Sequence, residues 1–261
     1  MVEESLLPID GEVFLFRYKI TIAYDGTNYC GWQSQASGLS IQTLVHKALT
    51  TVLRQSTPVF GSGRTDSGVH AKGQTAHFDA SEIIDPSRLR LSLNALLPAD
   101  VRILQLDPVL PDFHARFSAK SKIYHYHLHL DSVIDPFVRL YRYHVFGRCN
   151  IDRMKEALPF FLGTHDFTSF ANEPVRTGGP CGKVRTLYHL NLIEQKGGIR
   201  LEFEGDGFLY KMVRNISETL VQVGLEKLPP NQIETIFLAK DRRAAPAAAP
   251  PQGLFLMEVK Y

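Results

Sequence analysis

The strongest constraint on the fold of this chain is the order in which two hydrophobic periods alternate along it. Residues 14–24, FLFRYKITIAY, set Phe14, Phe16, Tyr18, Ile20 and Ile22 at a period of two, the mark of a strand with one buried face. Ser40 then stands where a helix cap belongs, ahead of Ile41, Leu44, Val45, Ala48, Leu49 and Val52 at helical spacing. A short strand over PVF leads into a glycine-rich loop, and QTAHFDA follows as another strand. Pro86 opens a second helix reaching residue 97, with Leu89, Leu93 and Leu96 on one face. VRILQLD closes the set as a strand.

That order, β-α-β-β-α-β, is a split βαβ arrangement, and after the linker-like PDFHARFSAKS it recurs. KIYHYHLHL reads as a strand and 151–162 as a helix entered through Asn150, with Pro159 expected to kink it. KVRTLYHLNLIE and IRLEFEG form two strands joined by Lys-Gly-Gly. FLYKMVRNISETLVQVGL is a long helix, PNQIETIFLAK another, and GLFLMEVKY a last strand. The topology repeats although the residues do not. The expected class is α+β: two split-βαβ halves, 1–115 and 116–261, with antiparallel or mixed sheets facing a central cleft, a common place for a site. The Ala/Pro run 244–251 is short enough to be an ordered loop.

Composition narrows the class. At 261 residues and 44% hydrophobic, the chain can build a sizeable core. It has no apolar run of membrane-spanning length, and MVEESLLPIDGE lacks a signal-peptide layout. Three widely spaced cysteines, Cys30, Cys149 and Cys181, suggest reduced thiols in a cytoplasm. A net charge of +2 permits a polyanionic partner without demanding one.

The loop GSGRTDSGVHAKG, from Gly61 to Gly73, nearly matches three devices and fits none. Asp66 stands at the third glycine of a dinucleotide fingerprint, where it would repel pyrophosphate. Gly63 to Gly68 has Walker spacing, yet Val69-His70 occupies the Lys-Ser/Thr positions. Asp66-Ser67-Gly68 is the aspartic-protease tripeptide, but no second copy occurs to share the proton. One reading left is a tight turn whose Asp66 and Ser67 bond their own backbone. The other uses Asp66 chemically: a nearby cation favours the charged carboxylate, and a fixed carboxylate shielded from water is a usable nucleophile.

GRTDSGVHA, with YDGTNYCGWQSQ upstream, resembles the tRNA pseudouridine synthase A family. So do NALLP, DFHARFSAKSKIYHY, HDFTSF, FLYKMVRNI and GLFLMEVKY, in order and over nearly the whole chain. The resemblance implies an isomerase that converts uridine to pseudouridine at positions 38–40 of the tRNA anticodon stem-loop. It implies no redox cofactor, ATP or metal, and it favours a homodimer. By motif position it makes Asp66 the nucleophile, Arg64 the residue beside the flipped nucleotide, and Tyr124 the ring stacked on uracil. It makes Arg214, in KMVRNI, the arginine that meets the aspartate. Taken without the resemblance, Arg214 can equally pair with Glu218, one helical turn on.

Other residues keep open readings. Tyr124, Tyr126, Leu128 and Leu130 share one face of their strand, so Tyr124 can line a cleft or join the core. His125, His127 and His129 on the other face can bind zinc or form a polar sheet surface, and no nearby ligand completes a set. Arg116, Lys120 and Lys122 form a basic cluster suited to a phosphate track. Trp32 reads as core. A non-catalytic RNA-binding protein would keep Tyr124 and the cations but would not need Asp66. Two departures from the family stand near the end: Pro246, Ala248 and Pro251 replace a usual glycine, threonine and alanine, which puts that loop's backbone in question.

Overall fold

A computed structural model describes residues 15–172 and 182–261. The N-terminal stretch read above, Phe14 and Cys181 lie outside the described residues. In chain order the elements are β1 (Phe16–Tyr24), α1 (Ile41–Leu53), β2 (Phe60–Gly61), β3 (His70–Ala80), α2 (Pro86–Leu96) and β4 (Val101–Pro108). They continue with β5 (Ser121–His129), β6 (Tyr143–His144), α3 (Ile151–Ala157), β7 (Gly163–Asp166), β8 (Val184–Gln195) and β9 (Gly198–Gly205). The last are α4 (Met212–Gly224), α5 (Gln232–Ala239) and β10 (Leu254–Lys260).

The class is α+β, as expected, and the sheets of the two halves are joined edge to edge. They are continuous, one ten-stranded sheet in the order β4-β1-β3-β10-β5-β9-β8-β7, with β2 on β3 and β6 on β5. With β6 and β7 set aside, the strands of the two stretches follow one order in this sheet. The first half runs β4-β1-β3-β2, and the second runs β10-β5-β9-β8, the same fourth-first-third-second order. The seam is the parallel pairing of β10 with β3, Phe255 opposite His70 and Leu256 opposite Ala71; β10 pairs antiparallel with β5 on its other side. One edge of β3 therefore serves two partners. β2 takes it at Phe60↔His77 and Gly61↔Ala76, and β10 takes it at the other end. The chain between β2 and β3 must leave the sheet where β10 enters, so the glycine loop sits at the seam.

The helices begin where the sequence places caps. Ser40 accepts from the Thr43 amide, Asp85 from the Ser87 and Arg88 amides, and Asn150 from the Arg153 amide. Alternate residues of the strands fill the core: Tyr18, Ile20 and Ile22 in β1, Tyr126 and Leu128 in β5, Leu201 and Phe203 in β9. Trp32 is core, as read, and a side chain at Gly61 would collide with its indole.

Beyond shifts of a few residues at strand and helix ends, the structure differs from the sequence reading in three places. The helix at 151 ends at Ala157; Pro159 falls within a 3-10 turn at 158–161, where its missing N–H costs little, so it stops the helix and does not bend it. The long helix expected from Phe208 starts at Met212, because Lys211 adopts a left-handed conformation (φ 60°) that turns the chain. The short strands β6 and β7 were not expected; four residues or fewer carry too little periodicity to show.

Candidate active site

The loop from Gly61 to Val69 is pinned along its length. Ser62 gives its amide to the Thr75 carbonyl and its hydroxyl to Gln74 Oε1, and Gln74 Nε2 reaches back to the Gly63 carbonyl. The Thr65 hydroxyl meets the buried Tyr24 phenol at 2.8 Å, and the Thr65 carbonyl accepts from the Trp32 amide. Burial, the leading influence, holds the Tyr24 phenol well above its ordinary range, so it stays protonated. Gly31 has φ +93°, and a side chain there would drive into the Thr65 carbonyl, so the YDGTNYCGW segment can press against the loop only through a glycine.

These restraints turn Thr65 inward and aim Asp66 at the second half. Asp66 Oδ2 lies 2.6 Å from Arg214 Nη1, with the two side chains 17% and 10% exposed. Arg214 sits in the first turn of α4, and Met212, Ile216, Leu220 and Val223 of that helix are buried. Its Nε donates to the Ala249 carbonyl at 2.7 Å, and the Ala249 amide returns a bond to the Arg214 carbonyl. The guanidinium is thus fixed between a carboxylate and a backbone carbonyl. Glu218, the alternative partner, instead accepts from Gln222 at 2.7 Å, and its carboxyl is raised by burial.

Arg64 and Asp66 do not face each other. Arg64 is exposed and donates to Gln33 Oε1 at 3.2 Å, which leaves the far end of its guanidinium to solvent. Tyr124 is buried on the face of β5 that carries Lys122 and Tyr126, with its ring edge-on to Phe208 at 5.1 Å. Burial first, then Tyr24 and Asp66 nearby, raise its phenol well above the ordinary value. The ring is therefore held, neutral and close to the carboxylate.

The basic cluster divides. Arg116 and Lys120 are exposed, whereas Lys122 is half-buried beneath the loop, its Nζ 2.7 Å from the Ser62 carbonyl. The three histidines of β5 point to the other face and go separate ways. His125 meets Glu202 at 3.6 Å, His127 lies edge-on to Phe255, and His129 Nε2 is 2.9 Å from the Val133 carbonyl. Among the described residues no group of three His, Cys, Asp or Glu side chains is arranged to hold a metal ion, and no helix is long and apolar enough to cross a membrane.

The Ala/Pro loop holds residues that the sequence did not announce. Its carbonyls at 245, 246, 249 and 250 accept from Arg242, Arg242, Arg214 and the Tyr126 phenol respectively. Arg242 also bonds Asn215 and Asn172. The only available signal was Arg242 itself, an arginine ahead of a run with no polar side chains.

A carboxylate locked to an arginine across two α+β halves, beside a neutral tyrosine, accords with what comparison with known proteins finds. The family described as tRNA pseudouridine synthase matches residues 20–118 and 157–261, and the chain belongs to it, as an isomerase. More particularly, it is similar to tRNA pseudouridine synthase A 1 of Protochlamydia amoebophila, 56% identical over 245 residues that cover 94% of this chain and 96% of the relative. The tRNA pseudouridine synthase A proteins of Bacillus pumilus (43% identical, covering 94% and 99%) and Chlamydia muridarum (44%, covering 93% and 91%) are alike over the same span.

Proposed function

We propose that the protein converts uridine to pseudouridine in tRNA at positions 38–40 of the anticodon stem-loop, with Asp66 as nucleophile. The observation that supports this reading most is the 2.6 Å contact between Asp66 and Arg214, made across the seam by side chains largely withdrawn from water. Chemically, the bond from ribose C1′ to uracil N1 breaks and a bond from C1′ to C5 forms. N1 gains a proton and C5 loses one, so the atoms balance without a co-reactant. Arg214 orients the carboxylate and offsets its burial. Tyr124 offers a ring on which a flipped uracil stacks, and exposed Arg64 occupies the space the base vacates; extrusion costs a few kcal/mol that such contacts offset. Arg116 and Lys120 lie where the phosphate backbone approaches. The enzyme works in the cytoplasm as a homodimer, one tRNA touching both subunits.

Release of tritium from unmodified tRNA labelled at uracil C5 tests the chemistry. Wild-type protein releases it; Asp66→Asn slows release by roughly 10⁴-fold while the tRNA Kd stays within about threefold. An Asp66→Asn variant with appreciable turnover removes Asp66 from the nucleophile's role, and binding without any release by wild-type protein supports a binding protein instead. Chemical mapping of pseudouridine outside 38–40 overturns the positional part alone.

A further inference from the structure

Lys122 is an anomaly in the fold. Its ammonium is tucked under the glycine loop, so close that a methyl group on Gly63 would lie 2.8 Å from Nζ. Among the described residues its one acceptor is the Ser62 carbonyl, and it makes no salt bridge. The charged groups that act on it are the guanidiniums of Arg116 and Arg185, which add positive charge. Neither of them pairs with a described carboxylate: Arg185 donates to the carbonyls of Gly182 and Val184, and Arg116 lies over the Phe117 ring. The anionic groups on neighbouring elements are engaged elsewhere, Asp66 with Arg214, Glu204 with Ser121 and Lys260, and Asp206, between Gly205 and Gly207, with the Thr186 amide. A withdrawn cation is ordinarily paired. Here three cations converge and no described anion answers them.

The place is specific. On β5, Lys122 is two residues from Tyr124 on the same face, and it stands opposite Gly205 of β9, itself opposite Leu187 of β8, two residues past Arg185. Gly205 and Gly207 keep the ground between them low: a side chain at the first would drive into the Thr186 carbonyl and press on Phe208, and one at the second would touch Arg185. A shallow floor bordered by Lys122, Arg185 and Arg116 thus adjoins the Tyr124–Phe208 wall.

We propose that Lys122, Arg185 and Arg116 form a binding site for one backbone phosphate of the RNA strand beside the flipped nucleotide, and that phosphate binding there is coupled to protonation of Lys122. This rests on the reading of the chain as a tRNA-modifying enzyme. Burial, then Arg116, then Arg185 push the ammonium down to about 8. A phosphate reverses the balance and restores the lysine's ordinary basicity, so above pH 8 each RNA bound takes up a proton and affinity falls as pH rises. The linkage runs opposite for the free protein. A depressed lysine contributes its full stability above the unfolded-state pKa and loses it as pH falls through about 8, so the charged lysine costs the empty enzyme stability at neutral pH.

The test measures the tRNA Kd at pH 7, 8 and 9 at fixed ionic strength, with thermal midpoints of the free proteins, for wild type, Lys122→Arg and Lys122→Met. Wild-type Kd rises about tenfold from pH 7 to 9. Lys122→Arg stays charged and gives a flat profile. Lys122→Met binds about 10- to 100-fold more weakly at pH 7, also without pH dependence, and its salt slope falls by about one. Its thermal midpoint at pH 7 does not drop. A wild-type profile retained by Lys122→Arg, or unchanged affinity in Lys122→Met, overturns the proposal. A lower midpoint in Lys122→Met reduces Lys122 to a prop for the loop, which also overturns it. Tritium release by wild type is scored separately; its absence alongside intact pH-linked binding breaks the catalytic reading and leaves this one standing.

Discussion

Asp66 and Arg214 are presented to each other by two loops built on opposite principles. The glycine loop, 61–69, fixes its shape with its own side chains and with glycines that let neighbours approach: Ser62 on Gln74, Thr65 on Tyr24, Gly31 against the Thr65 carbonyl. The Ala/Pro loop, 244–251, has no polar side chain and works through carbonyl oxygens that hold Arg214, Arg242 and Tyr126. A loop of the first kind is sensitive at its own residues. A loop of the second kind is sensitive at the residues that read it, and tolerant within, provided the backbone path survives. Of the three positions read as departures from the family pattern, Pro246 offers its carbonyl to Arg242, a contact that needs no particular side chain at 246.

The comparison can be broken at its most heavily loaded point first. Arg214→Met removes the group that joins the two loops and leaves Asp66 facing an apolar chain. Breaking a largely buried pair from one side costs about 3–5 kcal/mol, and turnover should fall by two orders of magnitude or more. Denaturant unfolding alongside tritium release checks both, and a variant that keeps wild-type stability would mean the pair is not shielded as described. Gly31→Ala probes the first kind of loop from outside. Both the left-handed backbone and the collision with the Thr65 carbonyl oppose it, so a loss of about 2–3 kcal/mol is expected, with kcat reduced more than KM is raised. Tyr126→Phe probes the second kind. It deletes the 2.6 Å bond to the Pro250 carbonyl and should cost about 1 kcal/mol with turnover within about threefold. If Tyr126→Phe instead proves as harmful as Gly31→Ala, the contrast between the loops fails.

The same contrast explains what could be read from the residues. The strand and helix order, the caps at Ser40, Asp85 and Asn150, and the loop around Asp66 were legible, because each is written in side chains at fixed spacing. The pairing of Asp66 with Arg214 needed the resemblance, since sequence spacing alone favoured Glu218 equally. The fusion of two sheets into one was hidden because strand periodicity reports a buried face and says nothing about which edge a strand joins. The carbonyl work of residues 245–250 was invisible, because a backbone acceptor is the same whatever the residue. The withdrawal of Lys122 was missed for a related reason: alternation placed it on the face of Tyr124, and only the loop folded above it removes it from water.

The seam strand has a consequence for folding. β10 is the piece through which β3 and β5 become neighbours, and it lies at 254–260, after every other described element. Until β10 is in place, β3 and β5 are not neighbours in the sheet, and making them so requires a pairing across more than 180 positions of chain, from Phe255 to His70. Such distant pairings form late. A chain whose β10 has not yet paired therefore holds Asp66 and Arg214 on separate pieces, brought together only when β10 is laid between β3 and β5.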